Sequence, residues 1–334
     1  VTGLRLEADR VLLQDGSGTT HAAQKAVLAW GHFPPAPIRV PDGGLYRSPL
    51  YCPSPWTPDA LRAVPPDAPV LLLGTGLTAV DALVTLKALG HHGPVEALSR
   101  HGLWPEVHAP QAATGTRAAP FQPEPTARAY LGELRRRVRT ETQTGGDWRA
   151  AVDGLRPWTA QAWQRLPEKE QRRFLRHLRA LWEIHRHRTA PEPGNVVSEL
   201  ARAGRLRTHA GRLVDFRLEG TEGGVRARIH PRGQRTVREI EVLRVVNCTG
   251  PGPLGPAASP LVAELVHGGW ARVDRFGLGL ETDVRGALLD AAGRPSERLY
   301  TLGPLRRGGL WESTAVPEIR AQAAALAEHL GGPG

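Results

Sequence analysis

The chain has 334 residues, 40% of them hydrophobic, and a formal net charge of +10. No apolar run approaches the ~20 residues of a membrane-spanning helix, and the two cysteines, Cys52 and Cys248, are too few for a disulfide framework or a thiolate metal site. Only Lys25, Lys87 and Lys169 are lysines among the 43 basic residues, so the charge reflects Arg-rich, GC-biased coding, and no nucleic-acid-binding motif accompanies it.

The length allows two domains, and the cysteine usage points to a cytoplasmic protein without metal. Attraction for anionic ligands is the simpler use of the charge. Leu4, Leu6, Val11 and Leu13 alternate with polar residues, which predicts a hairpin of two strands ending in the Asp15-Gly16 turn. Ala26, Val27, Leu28, Ala29 and Trp30 form a buried strand that ends at Gly31 and leaves through Pro34 and Pro35. Residues 34–69 are Pro-rich and read as a linker between domains or a partly ordered loop, with Trp56 as a packing anchor. The chain lacks Met and opens at Val1 on a hairpin, so an upstream segment is expected.

The most informative stretch follows. Val70 to Leu73 form an apolar run that enters the Gly74-Thr75-Gly76 turn and leaves through Leu77, Thr78, Ala79 and Asp81 as a helix carrying Leu83, Leu86 and Leu89. This strand–turn–helix order is the opening of a dinucleotide-binding unit. Gly74 permits the turn, Gly76 admits a pyrophosphate to the backbone, Ala79 allows close packing, and the helix N-terminus supplies unpaired N–H groups. The bland alternative is an ordinary buried turn. A second strand over residues 94–98 ends at Ser99-Arg100-His101, with no carboxylate between Ala97 and Leu103. Arg100 suits a ribose 2′-phosphate, so NADP is favoured over NAD. The alternative is a solvated strand-end arginine.

Residues 109–123 read as loop. Helical spacing appears over 126–142, around Val152, Leu155, Trp158 and Trp163, and over 168–188, giving a helical insertion. The last helix ends in His185, Arg186, His187 and Arg188. This cluster is either a solvated end matched to the helix dipole or a site in which Arg186 and Arg188 hold a substrate or phosphate anion. His185 and His187 do not share a helix face, which argues against metal. A short helix over 196–203 precedes strands at Leu206 and over 213–218, 225–229 and 237–243, with turns at Glu219-Gly220 and Glu222-Gly223-Gly224. A buried strand then ends at Asn247-Cys248-Thr249-Gly250-Pro251, with Cys248 read as a small buried residue. The final strand, 299–302, meets Gly303-Pro304, and a helix capped by Thr314 carries Ile319, Ala323, Leu326 and Leu330 as its buried stripe.

Taken together, the residues around Leu28–Pro35, Gly74–Asp81, Ser99–Pro105, Trp182–Arg188, Asn247–Pro251, Leu302–Gly308 and Trp311–Arg320 resemble a bacterial FAD/NAD(P)-binding family related to flavin-dependent urate hydroxylases and aspartate N-monooxygenases. More distantly, the chain resembles the two-dinucleotide class of glutathione-reductase-like and N-hydroxylating enzymes. The resemblance implies an α/β, two-dinucleotide-binding-domain flavoprotein with FAD and NADP as cofactors. Residues 1–35 would be a remainder of the FAD-binding domain, 36–68 a linker, 69–246 a Rossmann-like NADP-binding domain with a helical insertion at about 110–195, and 247–334 the C-terminal part of the FAD-binding domain. It further implies cofactor contacts at Trp30, Gly31, Thr249, Gly250, Gly303, Pro304 and Thr314, beside those of residues 74–81, Ser99 and Arg100.

Three departures stand out. The N-terminal FAD fingerprint is absent, Trp30 stands where Thr is usual, and Pro304 replaces the acid that holds the ribityl chain. FAD binding by this chain is therefore expected to be weak. The resulting expectation is an FAD- and NADPH-dependent oxidoreductase, monooxygenase-like, acting on a small polar or anionic substrate, with no catalytic residue identifiable. The alternative is a nucleotide-binding fragment or redox-responsive module without turnover.

Overall fold

The computed structural model describes residues 1–109, 120–219, 223–254 and 259–331. The chain opens with β1 (Gly3–Leu6), β2 (Val11–Gln14) and β3 (Thr20–Ala23), a three-stranded antiparallel sheet rather than a single hairpin. The Asp15 turn leads into the extra strand, which carries too few apolar residues to show a period. β4 (Ala26–Leu28) follows. The Pro-rich stretch contains β5 (Tyr51–Cys52), then come β6 (Val70–Leu73), α1 (Leu77–Ala88) and β7 (Val95–Ser99).

The helical segment comprises α2 (Ala127–Gln143), α3 (Trp148–Asp153), α4 (Thr159–Arg165), α5 (Glu168–Arg173) and α6 (Arg179–Arg186). Thr126 caps α2 by accepting a hydrogen bond from the Ala129 N–H at 3.1 Å. A π turn over Phe174–Leu178 separates α5 from α6, where a single helix was expected. α7 (Pro191–Arg202) begins five residues earlier than its apolar pattern, on Pro191, whose missing N–H costs nothing in a first turn. β8 (Leu206–Glu219), β9 (Gly224–Pro231), β10 (Arg238–Val242) and β11 (Arg244–Asn247) follow. α8 (Pro260–His267), β12 (Ala287–Leu289), β13 (Pro295–Thr301), α9 (Arg307–Leu310) and α10 (Val316–Gly331) complete the order. The loop expected over 109–123 falls mostly outside the described residues, as do Gly220 and Glu222 of the two expected turns.

The largest sheet has seven strands in the order β10-β9-β8-β7-β6-β11-β5, parallel from β8 to β5 and antiparallel from β8 to β10. β8 is one strand with two partners, pairing with β7 and then with β9. At the handover stands Gly211, where a Cβ would lie 2.6 Å from the His230 carbonyl oxygen. β6 is fully buried on both faces, as a central parallel strand must be. One face packs Val70 and Leu72 against α1, where Leu83 and Leu86 meet them. Residues 36–68 cover both faces. Leu45 and Tyr51 pack with Leu71 and Leu73, whereas Leu61 and Val64 pack with the α1 side. Trp56, expected as an anchor, is 64% exposed and packs against neither.

A second core joins the N-terminal sheet to the C-terminal segment. β4 runs parallel to β13, which pairs antiparallel with β12. Leu4, Val11, Leu28, Val262, Leu265 and Leu299 share one cluster. α10 contributes less than its pattern promised: Leu326 is buried with Tyr300, but Ala323 is exposed.

Candidate functional site

The Gly74–Gly76 turn sits at the C-terminal end of β6, between the tips of β7 and β11. Its two glycines do different work. Gly74 adopts φ +115°, and a Cβ there would lie 2.8 Å from the Cys248 carbonyl carbon and closer to its oxygen. It is therefore required by the close approach of β11. Gly76 has φ −82°, caps α1 with no side chain, and has open space where a Cβ would be. Among the described residues, the N–H groups of Gly76, Leu77 and Thr78 have no protein acceptor, and Gly76 and Leu77 are exposed. Ala79 is fully buried against the sheet. Asp81 is half-buried, and burial raises its carboxyl above the ordinary value.

Thr75 and Ser99 turn inward. The Thr75 hydroxyl lies 2.8 Å from Ser99 Oγ and 2.5 Å from the Leu103 carbonyl, and Ser99 Oγ accepts from the Gly102 N–H at 2.9 Å. These bonds clip the β7 tip onto the glycine turn, leaving only main-chain atoms of the two residues to face a ligand. Arg100, next in the chain, is exposed and has no hydrogen-bond or ion-pair partner among the described residues.

The two glycine-proline stretches that end β4 and β11 run side by side. The Gly252 N–H donates to the Pro34 carbonyl at 3.2 Å. Asn247, completely buried, donates to the Ala36 carbonyl at 3.1 Å and to the Tyr51 hydroxyl at 3.0 Å, while its oxygen accepts from Thr249. Gly31 and Thr249 are exposed, and Gly250 adopts φ +79° with open space beside it. Trp30 packs edge-on to Phe33 with ring centroids 6.0 Å apart. Burial pushes the Cys248 thiol well above its ordinary range, so it is an inert core group.

At the C-terminal turn, Gly303 has φ +74° and its N–H donates to Gln322 on α10 at 2.9 Å. Pro304 opens a short 3₁₀ turn. Thr314 is not the helix cap: α10 begins at Val316, and the first helical bond runs from the Ile319 N–H to the Ala315 carbonyl.

The arginines proposed from sequence as an anion site are already committed. Arg188 is buried and grips Asp153 at 2.7 and 2.8 Å. Arg186 faces Glu312 at 3.7 Å and Glu318 at 3.9 Å. The sequence pattern missed a charged network joining α6 to the loop before α10. Glu183 accepts from His187 Nδ1 at 2.7 Å and from Arg307 at 2.7 Å, with Arg179 at 3.5 Å. Glu312 accepts from Trp182 Nε1 at 2.9 Å and lies 3.7 Å from His187 Nε2. The i,i+4 spacing of Glu183 and His187 was the one sequence signal for this contact.

Burial alone would push His187 down, but the hydrogen bond to Glu183 and the nearby Glu312 carboxylate outweigh it and raise its pKa from 6.5 to about 9. Burial would likewise raise Glu183, but His187 and Arg307 hold it at about 2. Because the folded-state value of His187 lies above the unfolded one, its contribution is complete below pH 6.5 and is lost as pH rises through about 9. Urea unfolding between these limits is expected to show a decline of about 1–3 kcal/mol. A flat profile, or one unchanged by His187→Gln, would contradict this assignment.

No family model matches this chain, and no curated protein sequence matches it. Solved structures do match. The L-lysine 6-monooxygenase from Pseudomonas syringae is 17% identical, with 98% of this chain and 69% of that chain covered at a TM-score of 0.63. The ornithine N-hydroxylase from Kutzneria sp. 744, solved with reduced FAD, NADP+ and L-ornithine, is 17% identical over 99% of this chain and 71% of that chain, with a TM-score of 0.61. The FAD-bound cadaverine monooxygenase of Erwinia amylovora is 15% identical over 100% of this chain and 68% of that chain, with a TM-score of 0.60. The fold is thus the α/β architecture of two-dinucleotide-binding-domain flavoproteins. At these identities the likeness is one of fold.

Proposed function

We propose that this chain is an NADP(H)- and FAD-dependent oxidoreductase of the flavin monooxygenase type, acting on a small molecule. The observation that carries the reading is the open Gly76 at the start of α1, where, among the described residues, three N–H groups lack acceptors and Arg100 has no partner. These residues fit NADP(H). The N–H groups and the helix dipole receive the pyrophosphate, and Arg100 receives the 2′-phosphate.

The fit to FAD is partial. Two strand ends bring Gly31, Thr249 and Gly250 to the surface, and the buried Trp311 Nε1 and Ser313 Oγ lack partners among the described residues. Bound FAD would supply the hydride acceptor and the reaction with dioxygen. The chain's own residues bind, orient and exclude water. Among the described residues, no acid–base pair in this region identifies a catalytic side chain.

A nucleotide-binding module without turnover is the second reading. Pro304 offers no carboxylate, and the Gly303 N–H is already taken by Gln322. Titration with NADPH and NADH, followed by an NADPH oxidation assay with added FAD, separates the two. Saturable binding with flavin-dependent oxidation supports the enzyme. Binding without oxidation supports the module. No NADPH binding removes both. Arg100→Ser is expected to weaken NADPH binding about 5- to 50-fold while changing NADH binding less than twofold, on the scale of one charge-assisted contact. Equal loss for both nucleotides would remove Arg100 from the 2′-phosphate site.

A further inference from the structure

The helical segment lines most of an open-mouthed cavity of about 660 Å³, within the size range of small-molecule sites. Five tryptophans line it: Trp148, Trp158, Trp163, Trp182 and Trp311. Where their polar tips are bonded, they point away from it. Trp163 Nε1 donates to the Gly308 carbonyl at 2.7 Å, and Trp182 Nε1 to Glu312 at 2.9 Å. The Tyr130 hydroxyl, also at the wall, donates to the Ala162 carbonyl at 3.0 Å. The cavity therefore offers mainly ring faces and aliphatic surface. The π turn that separates α5 from α6 places Phe174 and Leu178 on this wall.

The polar groups at the wall are unbalanced. Arg135 and Arg139, one turn apart on α2, line the cavity on the side that carries Leu131, Leu134 and Val138. Both are exposed, and neither has a hydrogen-bond or ion-pair partner for its side chain among the described residues. The intervening Arg136 and Arg137, by contrast, both pair with Glu133. Opposing them at the wall are one carboxylate, Glu106, and His185, whose Nδ1 donates to the Leu181 carbonyl at 2.8 Å. Two of the five rings already carry cations. Arg149 and Arg188 lie over Trp148, and Arg179 and Arg307 over Trp311.

We infer that this cavity binds an apolar carboxylate, an aryl or medium-chain acyl anion. Its body lies against the tryptophans and its charge at Arg135 and Arg139. Its role as the substrate rests on the oxidoreductase reading above; the binding does not. Charge matching at a partly wet mouth sets orientation, and ring contact supplies most of the affinity.

The test is calorimetric titration of the purified chain with 2-naphthoate, its neutral counterpart 2-naphthalenemethanol, and L-lysine. The naphthoate is expected to saturate one site at least tenfold more tightly than the alcohol, with no L-lysine binding. The exposed pair Arg135→Glu with Arg139→Glu is expected to weaken naphthoate at least tenfold and to leave the alcohol within twofold. Leu134→Arg, which places charge on the apolar wall, is expected to abolish both. Val138→Trp, which fills the space, serves if that variant does not fold by circular dichroism. No saturable binding of either naphthyl probe overturns the inference, as does naphthoate binding unchanged in the double charge reversal. Tighter binding of L-lysine than of naphthoate does the same. A parallel NADPH titration keeps the two readings apart: loss of NADPH binding with naphthoate binding intact removes the oxidoreductase reading alone.

Discussion

Gly74→Ala is expected to cost about 2–4 kcal/mol of stability, from overpacking and from the left-handed backbone together. The added methyl would meet the Cys248 carbonyl carbon at 2.8 Å in a residue held at φ +115°. Neither strand can yield, because β6 and β11 are paired in register through Val245 and Leu71 and each has a further strand on its other side. Gly76→Ala is expected to do the opposite. Its backbone is ordinary and its surroundings are open, so stability should change by less than about 0.5 kcal/mol. NADPH binding should nonetheless weaken about tenfold, because the methyl occupies the approach to the orphan N–H groups. Urea unfolding and NADPH titration on the two variants check this. A stable Gly74→Ala protein, or a Gly76→Ala protein that binds NADPH as well as the parent, would show that one glycine has been given the wrong task.

Glu183→Ala is the second large effect, at about 3–5 kcal/mol, the cost of leaving buried partners unmatched. Removing this carboxylate leaves Arg307 and His187 without their contacts at 2.7 Å, and brings Arg307 and Arg179 together without a counter-charge. Burial and then the Arg307 charge already hold Arg179 below its ordinary value, so repulsion adds to the loss. The variant should also lose the decline in stability between pH 6.5 and about 9 that His187 confers. A double-mutant cycle of Glu183→Ala with His187→Ala isolates the pair, with an expected coupling of about 1–3 kcal/mol. A coupling near zero would mean that the Glu183–His187 contact adds nothing measurable to stability.

These two predictions mark where sequence was and was not a guide. The β6–α1 unit was legible because its information is local: an unbroken apolar strand, a glycine whose φ no other residue tolerates well, and a helix starting without a side-chain cap. The same holds for Thr126, which caps a helix from the adjacent residue. Thr314 and Trp56 misled because capping and burial depend on what lies opposite, and neither has a sequence signature. The Pro-rich stretch looked like a linker because its strand, Tyr51–Cys52, is two residues long and takes its pairing from Val245 and Val246.

By itself, then, the sequence determined the strand–glycine–helix turn, the alternation of strands and helices around it, and the chemical character of the chain as basic, poor in cysteine and rich in arginine. Propensity, φ restriction and periodicity act between neighbours, so they are written in neighbouring letters. Only the tertiary structure decided which arginines are free. Arg188 is matched to Asp153 and Arg307 to Glu183, across 35 and 124 positions, while Arg100, Arg135 and Arg139 are left unmatched among the described residues. A charge is neutralised by whatever the fold carries to within a few ångströms, and that distance cannot be read along the chain.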